Sequence, residues 1–162
     1  MNDDHTAQHA RTHLVTGILQ RAGAVLLVAS RYPNHREPLW NLPGGRQRHG
    51  ELLADTLRRE FIEETSLTVS IGALRYVAES YDRAGGAHFT NFTFDVDGAR
   101  DPRLPEDDDH VVALAWVPYA DLAERLRVGV VREPLLTNLR DPSRRYFAFA
   151  DAGITIEFPN SP

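Results

Sequence analysis

Gly44–Leu67 reads GGRQRHGELLADTLRREFIEETSL, and three of its carboxylates, Glu60, Glu63 and Glu64, fall at positions i, i+3 and i+4. At about 100° of rotation per residue, a helix points these three from one face. Like charges crowded on one face repel unless something positive sits among them. A hard divalent cation such as Mg²⁺ or Mn²⁺, which takes oxygen ligands, answers that need. The same run is amphipathic. The pattern predicts a helix from about Leu52 to Ser66, with Leu53, Ala54, Leu57 and Phe61 on an apolar stripe that borders the carboxylates. The charges are thereby expected at the edge of a core, where their direction is fixed. The competing reading is a solvated charged face forming i,i+4 pairs with Arg58 and Arg59.

Outward from this stretch, the chain reads as strands. His13–Gln20 and Ala24–Arg31 are β-prone, joined by a turn at Arg21-Ala22-Gly23. The second is almost continuously apolar, as for a strand covered on both faces. A Pro- and Asn-containing loop, RYPNHREP, leads to the short strand LWNL, which Pro43-Gly44-Gly45 is expected to break. Beyond the helix, Thr68–Tyr81 and His88–Asp97 read as a hairpin around DRAGGA, with Phe89, Asn91, Thr93 and Asp95 sharing one face of the second arm. A polar loop with the acidic run Glu106-Asp107-Asp108-Asp109 precedes a strand at Val111–Val117. Short helices are expected at Pro118–Leu126 and Arg132–Arg140, and a terminal hairpin at 144–158 turning at Asp151-Ala152-Gly153. The expected organisation is a flexible tail at 1–12 and one domain at 13–162 that includes this hairpin as an extension. His5, His9 and His13 recur every four residues, which on a helix would form a metal-binding stripe; a solvated tail is the simpler expectation.

Composition narrows the function. The chain has 162 residues and a net charge of −5, and each of its 18 basic residues is Arg. An acidic balance argues against a nucleic-acid polymer as partner but is compatible with a small phosphorylated substrate met by metal and a few Arg. With no Cys, thiol nucleophiles, disulfides and Cys-based zinc sites are excluded. The N-terminus lacks the pattern of a signal peptide and no apolar run reaches membrane-spanning length, so a soluble, cytoplasmic protein with no membrane partner is expected.

The central stretch is similar to the Nudix box, G-x5-E-x7-R-E-U-x-E-E-x-G-U, with U a bulky apolar residue. Gly45, Glu51, Arg59, Glu60, Phe61, Glu63, Glu64 and Leu67 match at the required spacing, and Ser66 replaces the usual final Gly. The flanks LWNLPGG and VALAWVPYADL resemble the family's as well. The resemblance implies an α/β/α sandwich with a mixed β-sheet. It also implies hydrolysis of nucleoside diphosphates linked to another group, with Mg²⁺ or Mn²⁺. It implies Glu60, Glu63, Glu64 and the Gly44 carbonyl as metal ligands, one of the carboxylates as general base, and a Glu51–Arg59 pair that holds the loop and helix in shape. At Ser66, a Cβ in the left-handed region costs on the order of 1 kcal/mol, so weaker capping with intact chemistry is expected. Related enzymes often carry one further carboxylate, for which Glu79 and Glu106–Asp109 are the candidates.

Arg31, Arg36 and Arg46 flank the glycine turn and are candidates for bidentate phosphate contacts. Phe89, Tyr32 and Trp40 are candidates for stacking on a base, though each also suits core or rim packing. Arg132-Glu133-Pro134 stands where nucleobase-reading MutT-like enzymes carry Asn-Glu-Pro, and the Arg weakens the case for recognition of oxidised guanine. Ser80–Gly86 lacks the Pro that ADP-ribose hydrolases tend to place about sixteen residues after the box. The expected substrate is therefore a nucleoside triphosphate cleaved to nucleoside monophosphate and pyrophosphate, with ADP-ribose or a nucleoside diphosphate sugar as the alternative. A nucleotide sensor without turnover is the reading from a different class; it predicts lost carboxylates or an attached effector domain, and neither is present. The apolar residues of the terminal hairpin suit either its own sheet or a partner strand in a homodimer.

Overall fold

The computed structural model describes residues 11–151. Strand β1 (Arg11–Arg21) starts two residues before the expected domain boundary, and Arg11 and Thr12 pair with His88 and Phe89. A turn whose Ala22 and Gly23 both take positive φ leads into β2 (Ala24–Ser30). The chain continues through β3 (Leu39–Asn41), β4 (Gly44–Arg46), α1 (Leu53–Thr65), β5 (Ser70–Tyr81), β6 (His88–Asp97) and β7 (Val111–Pro118). A 3-10 turn at Tyr119–Asp121, α2 (Leu122–Arg125), α3 (Gly129–Arg140) and β8 (Tyr146–Ala150) complete it.

The strands form one mixed sheet of eight, in the order β3-β2-β1-β6-β5-β8, with β4 added on β1 and β7 on β2. β1 is shared between neighbours. Gln20 and Arg21 pair with β2, whereas Leu14, Val15 and Thr16 pair with Arg46, Gly45 and Gly44 of β4. The other edge of β1 runs parallel to β6 over nine residue pairs, Arg11–Leu19 against His88–Val96. The two neighbours of β1 therefore diverge, and the glycine segment enters where they part.

Helices cover both faces. Val15, Leu19 and Leu26 pack with Leu57 and Phe61 of α1, and Ile18, Val25 and Leu27 pack with Leu122, Leu126 and Leu135 on the opposite side. Alternate residues of β2 thus enter opposite cores, which is why its sequence is apolar without interruption. Asn138 of α3 is wholly buried and ties the helix to β5. It accepts from Arg75 Nε at 3.0 Å and donates to the Arg144 carbonyl at 2.8 Å.

Several boundaries move for identifiable reasons. Pro43-Gly44-Gly45 does not simply end a strand: Pro43 gives its carbonyl to the Gly17 amide at 2.9 Å, and the glycines begin β4. Gly44 has φ +152°, and a Cβ there would strike the Val15 carbonyl oxygen, so only glycine fits this close pairing. α3 begins at Gly129 and not near Arg132; Pro134, whose rigid φ suits a first turn, lies in the second. β8 runs parallel to β5 from Val77–Tyr146 to Tyr81–Ala150, so the first arm of the terminal hairpin covers its own sheet. The turn and second arm of that hairpin, and His5 and His9, lie outside the described residues. His13 is in β1, where an every-fourth-residue stripe has no helix to lie on. Among the described residues, no helix is long and apolar enough to cross a membrane.

Ser66 caps α1 in the left-handed region at φ 59°, ψ 21°. Its amide donates to the Ile62 carbonyl at 3.1 Å and its hydroxyl to the Arg103 carbonyl at 3.1 Å. Ser66→Ala and Ser66→Gly both remove that hydroxyl, but only alanine keeps a Cβ in the strained region. The alanine variant is expected to be less stable than the glycine variant by about 1 kcal/mol in urea unfolding.

Candidate active site

The loop between β4 and α1 is held by one guanidinium. Arg59 donates from Nε to Glu51 Oε1 at 2.7 Å and from Nη2 to Glu51 Oε2 at 3.0 Å, a two-pronged pair across eight residues. Its Nη1 reaches Glu60 Oε1 at 2.9 Å and Glu63 Oε2 at 3.2 Å, and its Nη2 also reaches the Arg46 carbonyl at 3.2 Å. Glu51 Oε2 accepts in addition from the Arg48 amide and the buried Thr56 hydroxyl, at 3.1 Å and 2.8 Å. These bonds stabilise the carboxylate, so the Glu51 carboxyl is lowered to about 2, with the Arg59 bond as the largest cause. The pair is no loose surface contact: the two side chains are only 18% and 22% exposed.

The three clustered carboxylates differ in environment. Glu63 is the most exposed. Glu60 packs against Gly45, where a Cβ would collide with its Oε1, and burial raises its carboxyl against the opposing pull of Arg59. Glu64 points into the core and is 6% exposed; its Oε1 accepts from the Gly44 amide at 2.7 Å. Burial pushes its carboxyl well above the ordinary range, and the negative charges of Glu60, Asp108 and Glu63 push the same way. Among the described residues no cation pairs with it.

Those residues contain no group of three acidic or imidazole side chains converged as a finished metal cage, because Arg59 stands between Glu60 and Glu63. The donor chemistry still suits Mg²⁺ or Mn²⁺. It is all carboxylate oxygen, and a buried Glu64 pressed by three other negative charges is the electrostatic situation that a divalent cation relieves.

Beside the carboxylates lies a cavity of about 420 Å³ that reaches Gly44 and Gly45. Its walls include Leu14, Val128 and Val131, the aromatic rings of Tyr32, Tyr81 and Phe89, and the side chains of Asn41, Asn91 and Thr16. Thr16 Oγ1 and the buried Thr93 Oγ1 lie 2.8 Å apart, and Asn91 Nδ2 donates to Thr16 Oγ1 at 3.2 Å. This polar ladder was not singled out from the sequence. The detectable signal was Asn91 and Thr93 on one face of β6, facing Thr16 only once β1 and β6 pair in parallel.

Of the residues expected to touch substrate, Phe89 and Tyr32 line this cavity, and burial raises the Tyr32 phenol to about 12. Arg31 and Arg36 are exposed, and among the described residues no arginine is in the cavity lining. Arg46 lines a second cavity instead, beside the start of β1 and the loop that follows β4. Trp40 packs on the core with the Arg125 guanidinium 4.8 Å from its ring centre. Arg132 is bound to Glu133 and to the Leu126 carbonyl. Within the acidic run, Asp108 is half-buried and acts on Glu64, whereas Glu106, Asp107 and Asp109 are exposed. Glu79 lines the cavity, but its carboxylate accepts the Tyr146 hydroxyl and lies 3.6 Å from His88 Nε2.

The NUDIX domain profile matches residues 8–139, more than three quarters of the chain. The chain belongs to the Nudix family. Its family activity is that of a pyrophosphohydrolase, and Nudix enzymes typically use a divalent metal. The MutT NUDIX hydrolase of Burkholderia pseudomallei is 26% identical, with a TM-score of 0.67 over 78% of this chain and 96% of its own. The MutT protein of Methanosarcina mazei Go1 is 20% identical, with a TM-score of 0.70 over 85% and 99%. An ADP-ribose pyrophosphatase of Streptococcus suis is 17% identical, with a TM-score of 0.59 over 85% and 98%. The mixed sheet between helices is thus the α/β Nudix fold. No curated protein matches the chain in sequence.

Two outcomes follow from the carboxyl environments. In the metal-free protein, the raised Glu64 carboxyl supplies stability that is complete below the ordinary glutamate value near 4.5 and is lost as pH rises through its raised value. The slope is at most about 1.4 kcal/mol per pH unit. Glu64→Gln, unfolded by urea with chelator present, should therefore be more stable than the parent at pH 8, while kcat falls at least about 10²-fold. Glu51 has the opposite sign: its contribution is present above 4.5 and is lost as pH falls toward 2. Glu51→Gln should cost about 1–3 kcal/mol at pH 7, and the gap to the parent should close on acidification.

Proposed function

We propose that the protein hydrolyses the phosphoanhydride of a nucleoside triphosphate, releasing nucleoside monophosphate and pyrophosphate. The supporting observation is the contact of the aromatic and amide-lined cavity with Gly44-Gly45, the segment against which Glu60 and Glu64 are held. A base stacks on Phe89 or Tyr32 and meets the Asn41 and Asn91 amides, and the phosphates then extend toward the carboxylates. Glu60, Glu63 and Glu64 with the Gly44 carbonyl would hold Mg²⁺ or Mn²⁺. A bound cation there neutralises phosphate charge and orients the attacking water.

The chain's residues have separate tasks in this reading. Arg59 and Glu51 keep the loop against the helix, so that the carboxylates keep their aim. Glu60, raised by burial and next to the cavity floor, is our choice to accept the proton of the attacking water. Asp108 is the further carboxylate, since its charge reaches Glu64 from the loop before β7. Glu79 is occupied by Tyr146 and serves the wall. Arg31 and Arg36, at the rim of the β2–β3 loop, meet substrate phosphates when these enter.

Asp108→Asn should lower kcat by about 10²-fold or more, whereas amide variants of Glu106, Asp107, Asp109 and Glu79 should stay within a few-fold in the same assay. The substrate is tested with a panel of nucleoside triphosphates, ADP-ribose, nucleotide sugars and dinucleoside polyphosphates under Mg²⁺ or Mn²⁺, with product analysis. Nucleoside monophosphate plus pyrophosphate supports the proposal. Two monophosphate products from ADP-ribose or a nucleotide sugar as preferred substrate would replace it, and no turnover of any of them would point to a sensor.

A further inference from the structure

The second cavity is an open cleft of about 460 Å³ between the start of β1 and the loop that follows β4. Among the described residues, Arg11, His13, Arg46, Arg48 and His49 line it and no carboxylate does, although Arg11 acts electrostatically on Glu79 of the first cavity's wall. Three arginines thus line it in a chain of net charge −5, while among the described residues the cavity beside the carboxylates has no arginine in its lining. Among the described residues, neither Arg11 nor Arg48 forms an ion pair. The loop carrying Arg48 is fixed in place. The Gln47 amide donates to the His13 carbonyl at 2.9 Å, Gln47 Nε2 to the Glu51 carbonyl at 2.7 Å, and the Arg48 amide to Glu51 Oε2 at 3.1 Å.

The two cavities follow one another along β1. Leu14 and Thr16 line the first and Thr12, on the same strand face, lines the second; Leu14 pairs directly with Arg46 across β1 and β4. Glu60 abuts Gly45, the residue before Arg46, and lies within electrostatic reach of Arg48. Glu60 and Glu64 thus lie against the β4 segment that runs from the first cavity, at Gly44 and Gly45, to the cationic cleft at Arg46.

We propose that the cleft is a polyphosphate-binding site that receives the phosphates beyond the cleaved bond, with Arg11 and Arg48 as its principal contacts. It rests on the reading of the first cavity as the nucleoside site. A pyrophosphate leaving group carries several negative charges and suits the guanidiniums of Arg11 and Arg48, whereas the distal sugar of a nucleoside diphosphate sugar is neutral. The cleft thus selects nucleotides with three or more phosphates.

The test uses inorganic tripolyphosphate as the probe, measured by titration calorimetry in chelator, so that no turnover is needed. The full chain and its Asp107→Asn variant should bind it alike, and Arg11→Gln/Arg48→Gln should weaken binding at least about tenfold. Arg11→Lys/Arg48→Lys, which keeps both charges, should restore a measurable part of that loss, and equal melting temperatures show that the variants are folded. Unchanged affinity in the glutamine double variant overturns the site. In turnover, kcat/KM of the glutamine double variant should fall at least about tenfold more for a nucleoside triphosphate than for a nucleotide sugar; an equal fall overturns the selection. Failure of the triphosphate reading itself would appear differently, as absence of triphosphate turnover in the parent protein with tripolyphosphate binding intact.

Discussion

The Arg59 guanidinium is the point on which the loop and helix depend. It gives two N–H groups to Glu51, reaches Glu60 and Glu63 from Nη1, and reaches the Arg46 backbone from Nη2. A planar fork can do this and an ammonium cannot, because its donors leave in fixed coplanar directions. Without it, Glu51 keeps only the Thr56 hydroxyl and the Arg48 amide as donors, and three carboxylates repel across one face. The same side chain that keeps the trio together also neutralises two of its members, so the pull of Arg59 on Glu60 and Glu63 competes with that of any cation. Glu64, out of its reach and inside the core, keeps its full need for positive charge.

Around this unit the sheet supplies shape. The divergence of β2 and β4 from β1 leaves room for a cavity along the strand, and the glycines of β4 allow both β1 and Glu60 to approach closely. A side chain at Gly45 would displace Glu60, and one at Gly44 would force β4 away from β1. Backbone geometry and charge placement are thus the same constraint seen from two sides.

Much of the helix was legible because its residues interact within two turns: the i,i+3,i+4 spacing, the stripe of Leu57 and Phe61, and the Glu51–Arg59 separation all follow from helical geometry. The hairpin around DRAGGA and the two-sided burial of β2 were legible for the same local reasons. What sequence did not reveal depends on pairing between distant segments. Thr16 faces Asn91 and Thr93 only because β1 and β6 run parallel, and Arg46 comes beside Arg11 and His13 at the second cavity only because β4 pairs with β1. Asp108 emerged from four acidic neighbours through burial, which no local pattern encodes. The early start of α3 was masked by Pro134, whose usual place is a first turn.

That contrast between local and distant interactions has a consequence for how the protein loses function. Glu51, Arg59 and the three clustered carboxylates are joined to the glycine segment by bonds spanning at most the 20 residues from Gly44 to Glu64, whereas the cavity wall joins residues 75 apart, as Thr16 and Asn91. Short loops close with less entropy cost than long ones, and buried strands inside a sheet open only with most of the fold. A loosening mutation in β6 therefore reaches the cavity wall directly, whereas the bonds within the loop and helix do not cross that strand. The carboxylate unit and the wall beside it thus rest on different supports, one on a loop and helix close in sequence and the other on the pairing of distant strands.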